Sequence, residues 1–207
     1  MALALTRADL ITYLRYRLND TLIGSNTSGN YTANELGFCV DLAYRESVVA
    51  TNSNKVKSSV ALTASTHTYD LDTVYEPIEI SHNDIVLEKV EVGDMGITIQ
   101  SWDATAAGTP TKWMHLTGGY IRLYPTPDST ADNYSLIVHG YAYPTDMGSS
   151  DTPVALQDGY AISVMLDRAE AEARFMRPTY GANAQLASMR MQNWQMWVEQ
   201  IQKSIRG

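Results

Sequence analysis

The chain has 207 residues, of which 44% are hydrophobic, enough for one well-packed domain or two small ones. No stretch approaches the roughly 18 to 20 uninterrupted apolar residues of a membrane helix. The formal net charge of -8 argues against a protein that grips nucleic acid, because gripping needs a basic patch to displace phosphate counterions. It is compatible with a conduit through which a duplex passes without sticking. The apolar start Met1-Ala2-Leu3-Ala4-Leu5 lacks a basic flank and runs into a helix pattern, so it does not read as a secretory signal. Cys39 is the only cysteine, which excludes an internal disulfide and a cysteine-based zinc site. Its apolar setting predicts a buried structural thiol in a protein that folds in a reducing cytoplasm.

Helix one is expected from Thr6, with Asp9 three residues on, a near relative of the capping box. Leu10, Ile11, Leu14 and Leu18 recur at helical spacing, and the helix should stop near Asn19-Asp20. The polar run from Gly24 to Asn30 reads as a loop. Helix two opens on a full capping box, Thr32-Ala33-Asn34-Glu35, and is apolar around most of its circumference, from Leu36 and Phe38 to Val48 and Val49. Such a helix is expected to be buried on two sides, within a bundle or against another subunit.

From Lys55 to about Tyr143 the period changes. Strands are expected near Val56–Leu62, His67–Leu71, Ile85–Val92, Trp113–Leu116, Tyr120–Tyr124 and Tyr134–Tyr143. Gly118-Gly119 reads as a two-residue hairpin turn, since both positions tolerate positive φ. After the turn-rich stretch from Pro144 to Pro153, Ile162, Met165, Leu166, Ala169 and Ala173 form the stripe of helix three, which should end around Arg177-Pro178. Helix four follows Gly181 and carries Leu186, Met189, Trp194, Trp197, Val198, Ile201 and Ile205. The predicted fold class is α+β: a four-helix bundle from residues 1–54 and 150–207, with a small antiparallel β-sandwich or barrel inserted over 55–149.

Candidates for chemistry are thin. His67, His82, His115 and His139 all fall in the β region without metal-ligand spacing. Asp70 and Asp72 lack the glycine and terminal glutamate of a calcium loop. No GxSxG elbow, Walker A or dinucleotide fingerprint occurs, and Gly93-Asp94-Met95-Gly96 precedes no helix that could hold a phosphate. The expectation is therefore no catalytic residue, no cofactor, no metal, and no enzyme. Helix four does stand out: Met189, Met191, Trp194, Met196 and Trp197 offer more apolar surface than one bundle face covers, a composition typical of protein contacts. Asp167, Glu170 and Glu172 on helix three could line a lumen, although a solvated face is the default for such charges.

The most distinctive run is Ser101-Trp102, then Gly108-Thr109-Pro110-Thr111-Lys112-Trp113, then Tyr120 to Pro127 with its Pro125-Thr126-Pro127 turn, then Tyr134 to Tyr141 and Tyr143-Pro144. This ordered set resembles the phage adaptor family, the head-to-tail connectors and tail tubular A-type proteins of podoviruses. The Arg17-Leu18-Asn19-Asp20 end of helix one and the Asp151–Leu156 stretch match as well. Asp70-Leu71-Asp72 departs from the Leu-Pro that the family more often shows. The resemblance spans nearly the whole chain and implies a structural virion protein at the head–tail junction, made in the host cytoplasm. It implies a ring, typically of twelve copies, under the portal protein, with the tail nozzle protein as a further partner and tail fibres as an optional one. DNA would pass through without sequence-specific binding, and no membrane is involved.

On that analogy the expected protein interface comprises Met189, Trp194, Trp197 and Ile201 on helix four, with Phe38 and Tyr44 on helix two. The absence of a coiled-coil seam predicts a monomer before the portal is met. Two rival readings are another tail or head-completion component, and a carbohydrate-binding β-sandwich stacking sugars on Trp102, Trp113, Tyr120 and Tyr124.

Overall fold

The computed structural model describes residues 5–20, 31–91, 107–148, 151–153, 155–156, 159–177 and 183–206. The expected loop at 24–30, the Gly93–Gly96 turn, Ser101-Trp102 and the helix breakers Pro178 and Gly181 lie outside these residues. The chain divides into two compact units, Met1–Ser53 together with Pro144–Gly207, and Asn54–Tyr143.

The first unit holds four helices: α1 (Arg7–Arg17), α2 (Ala33–Ala50), α3 (Gly159–Met176) and α4 (Asn183–Arg206). Both N-terminal helices start on complete capping boxes. The Thr6 N–H donates to Asp9 Oδ2 at 2.9 Å while the Asp9 N–H donates to Thr6 Oγ1 at 3.2 Å. Thr32 and Glu35 repeat the arrangement at 2.7 and 3.2 Å. These contacts satisfy amide donors that the helix itself leaves open. They also hold the Asp9 and Glu35 carboxyls below the usual carboxylate range, through hydrogen bonds from the threonine hydroxyls and amides. Helix α1 ends at Leu18, after which Asn19 takes φ 52°, a left-handed turn that asparagine tolerates.

Helix α3 is the centre of this unit, buried without interruption from Val164 to Ala171. Alanines at 169, 171 and 173 let neighbouring helices approach it on several sides. Leu10 and Leu14 of α1, Leu36, Val40 and Val48 of α2, and Trp197 of α4 complete one hydrophobic cluster around it. Cys39 sits fully buried in the same cluster, and desolvation, with Glu172 nearby, pushes its thiol up to about 12.

The second unit contains two four-stranded sheets. Its strands are β1 (Lys55–Ala61), β2 (Thr68–Asp70), β3 (Val74–His82), β4 (Ile85–Val86), β5 (Glu88–Lys89), β6 (Lys112–His115), β7 (Tyr120–Tyr124) and β8 (Ser135–Ala142). One sheet runs β1-β8-β3-β4 and is antiparallel throughout. The other runs β2-β7-β6-β5, and there β5 pairs with β6 in parallel, which departs from the expected all-antiparallel module. Both sheets feed one core of Leu71, Val74, Ile80, Trp113, Ile121, Leu136 and Val138, among others.

Two departures from the sequence reading have local causes. The expected strand Ile85–Val92 divides at Leu87, whose buried side chain enters the core while its N–H bonds Ile80 O at 2.8 Å. The chain thus leaves one sheet and joins the other, with Ile85 and Val86 exposed before Leu87, and Glu88 and Lys89 exposed after it. The longest strand, β3, was not expected, because Pro77 and two bulges break its period. Gly140 of β8 faces this irregular stretch: a Cβ there would lie 2.6 Å from Glu76 O and 2.7 Å from Val74 Cγ1. The Gly118-Gly119 hairpin does form, with φ of 81° and 83°. The unit's two ends meet, since Ala142 N donates to Asn54 O at 3.0 Å and Asn54 Nδ2 to Ala142 O at 3.1 Å.

Candidate protein-interaction surface

The six expected interface residues separate into two groups. Trp197 and Tyr44 are buried in the helical cluster, and Trp194 and Ile201 are half-buried against it. Trp194 Nε1 donates to Ser47 Oγ at 2.9 Å, and its ring lies 6.0 Å from the Arg168 guanidinium. These four side chains tie α4 and α2 to the rest of the unit, because α3 needs cover on several sides and the tryptophans supply it. Phe38 and Met189 remain outside, at 54% and 47% exposure.

The charges of α3 are also turned to internal use. Arg17 Nη1 donates to Asp167 Oδ1 at 2.6 Å, and Arg190 Nη1 to the same oxygen at 3.2 Å. Glu170, almost wholly buried, receives Arg174 at 2.7 and 2.9 Å and has Arg190 Nε 3.1 Å from its second oxygen. Three guanidinium groups from α1, α3 and α4 therefore converge on two carboxylates. Arg168 likewise bonds Glu46 at 2.6 Å and Glu172 at 2.9 Å. The expectation that Asp167, Glu170 and Glu172 line a lumen fails on this point: their charge is matched inside the unit. Burial without such partners would cost several kcal/mol for each ion.

The outer face of α4 is composed differently. Its exposed positions from 184 to 196 are Ala184, Gln185, Ser188, Met189, Gln192, Gln195 and Met196, with no charge among them. Solvated helix faces usually carry Glu and Lys, and methionine with uncharged polar groups suits a face that another protein covers. Helix α1 adds Tyr13 and Tyr16, at 48% and 69% exposure. Sequence inspection passed over this tyrosine pair, although its i,i+3 spacing outside the Leu10–Leu14 stripe was the available signal.

In the β unit, Trp113 is buried and packs under the Lys89 ammonium, 5.3 Å from the ring centroid. It offers no platform to a sugar; Trp102 lies outside the described residues, Tyr124 is half-buried and Tyr120 is exposed. A depression of about 350 Å³ is lined by Lys89, Val90, Glu91, Met114 and His115. Burial, with Lys89 adding to it, lowers the His115 pKa. Among the described residues, no three His, Cys, Asp or Glu side chains gather as a metal site. No helix among them is long and apolar enough to cross a membrane. The residues behind the family resemblance are architectural: Gly108 N bonds Thr126 O at 2.8 Å, bridging the start of the Gly108–Trp113 run to the Pro125–Pro127 turn.

Exposed apolar groups outside a complete core, together with charges committed to internal pairs, mark a structural protein made for contacts. The family model described as SU10 adaptor protein matches residues 5–202, and the chain belongs to that family. It is a phage head-to-tail adaptor, a structural component of the virion that binds other virion components. The family is structural and indicates no catalytic role. No curated protein matches the chain.

Proposed function

We propose that this adaptor assembles as a ring under the portal, with one copy per portal subunit, continuing the DNA channel and docking the tail nozzle and fibres. The four helices, read as a bundle, form the ring body, and the two sheets, read as a sandwich, form a module directed outward or tailward. The outer face of α4 around Met189 and Met196, with Phe38 of α2, makes the portal or neighbour contacts, while Trp194, Trp197, Ile201 and Tyr44 support those helices from within. Residues 1–54 and 150–207 act as one body and 55–149 as the other.

The observation that carries this reading is the stretch of α4 from 184 to 196, whose exposed positions include Met189 and Met196 and no charge, on a unit with its own hydrophobic core. The net charge of -8 supports a conduit that does not hold DNA. The chain is monomeric until it meets the portal, which templates the ring. Native mass spectrometry of the purified protein mixed with portal rings tests this. A discrete complex with one adaptor per portal subunit is the expected product. A protein that stays monomeric beside empty portal rings would refute the proposal and favour another tail-completion role.

A further inference from the structure

The sheet β1-β8-β3-β4 sorts its charges by edge. Lys57, His139 and Glu79 form one row across β1, β8 and β3, and Lys55, Tyr141 and Glu76 form the adjacent row. Residues directly opposite on neighbouring strands share a face, and the four charged residues are all exposed. Strand β1 contains no acidic residue, and β3 contains no lysine or arginine. One edge of the sheet is therefore basic and the other acidic, at matched heights. Lys57 and Glu79 have no ion-pair partner among the described residues.

Charge of either sign protects an edge strand from aggregation, so protection alone does not require the two signs to be separated. The acidic edge also carries exposed apolar groups: Ile78 on β3 and, on the adjoining β4, Ile85 and Val86, at 51%, 67% and 59% exposure. Pro77 and the two bulges deny β3 a regular outer ladder, so a neighbour there would be held by side chains rather than by strand addition.

The geometry points to a second copy of this chain as the occupant, the basic β1 edge of one copy lying against the acidic β3–β4 edge of the next. Like edges placed together would oppose lysine to lysine or glutamate to glutamate. The contact is therefore heterologous and repeats in one direction, as a closing ring requires. It rests on the ring reading above and adds the β module to the surfaces that hold the ring.

The test uses two full-length double variants, Lys55→Glu/Lys57→Glu and Glu76→Lys/Glu79→Lys, each loaded on portal rings and weighed by native mass spectrometry. Each variant alone should fill portals about 10-fold less than wild type at equal concentration, because every junction then opposes like charges. An equimolar mixture should restore filling, with the two masses in equal numbers, since acidic and basic edges again alternate. A folding defect is not repaired by mixing, and the single variants Lys57→Glu and Glu79→Lys give a milder pair for the same comparison. Wild-type loading with variants that fill portals equally well alone, or a mixture that recovers nothing, would overturn the edge contact and leave the ring standing. Wild-type protein that never loads would overturn the ring itself, and the edge contact with it.

Discussion

Glu170→Gln is the most informative single change in the helical unit. Glu170 is 1% exposed and neutralises Arg174 and Arg190, with Arg17 at 3.9 Å. The carboxamide keeps the shape and can still accept one hydrogen bond, but Arg17 and Arg190 would then share Asp167 alone and Arg174 would lose its carboxylate partner. Removing one partner from a buried ionic group costs roughly 3 to 5 kcal/mol, because the remaining charge stays desolvated. The Arg17 and Arg190 side chains retain 26% and 33% exposure, so water screens part of the excess, which places the expected loss near 3 kcal/mol. Urea unfolding followed by far-ultraviolet circular dichroism measures it. Asp146→Asn, which removes the exposed Arg45–Asp146 pair, is the control and should change stability by less than about 0.5 kcal/mol. If Glu170→Gln matched that control, the network would contribute nothing and the argument from buried charge would fail.

The remaining predictions cover both units. Gly140→Ala should destabilise the β unit by about 2 kcal/mol, read as a lowered Tm, because its methyl group would meet backbone atoms that cannot swing aside. Thr32→Ala removes the α2 cap and should cost about 1 kcal/mol by urea unfolding. Cys39 should resist alkylation of the native protein at mildly basic pH and react once the chain is unfolded, as mass spectrometry of the labelled protein will show. Its folded pKa is raised, so the stability linked to the protonated thiol is complete below about 9 and is lost as pH rises toward 12. Phe38→Asp combined with Met189→Glu should leave the unfolding free energy within about 0.5 kcal/mol of wild type yet reduce occupancy on portal rings.

Local signals in the sequence translated directly into structure. Two threonines, each followed three residues later by an acid, announced the starts of α1 and α2, and two adjacent glycines announced the hairpin before Tyr120. Such features depend on a few neighbouring residues. The exchange of sheets at Leu87 depends on what surrounds the strand, and the apolar and polar residues from Ile85 to Val92 read the same in sequence whether one sheet or two receive them. Strand β3 escaped notice because Pro77 looks like an interruption until a glycine on the opposing strand makes room for the bulge. The interface residues show the same limit more sharply. Periodicity counted the apolar residues of α2 and α4 correctly but could not say which of them α3 would claim. That depends on three-dimensional neighbours, and it left Phe38 and Met189 outside while enclosing Trp194, Trp197, Ile201 and Tyr44. The acidic residues of α3 looked like a solvated stripe because their arginine partners come from segments as distant as residues 17 and 190.

The pairing of Asn54 with Ala142 has a consequence for how such a protein can diversify. A segment of 90 residues enters and leaves at almost one point in space. The helical chain therefore needs only a short bridge where the segment is attached. A longer, shorter or wholly different insert could occupy that position without stretching α2 away from α3. Seen this way, the β unit is an exchangeable cartridge, and lineages could refit it while keeping the helices.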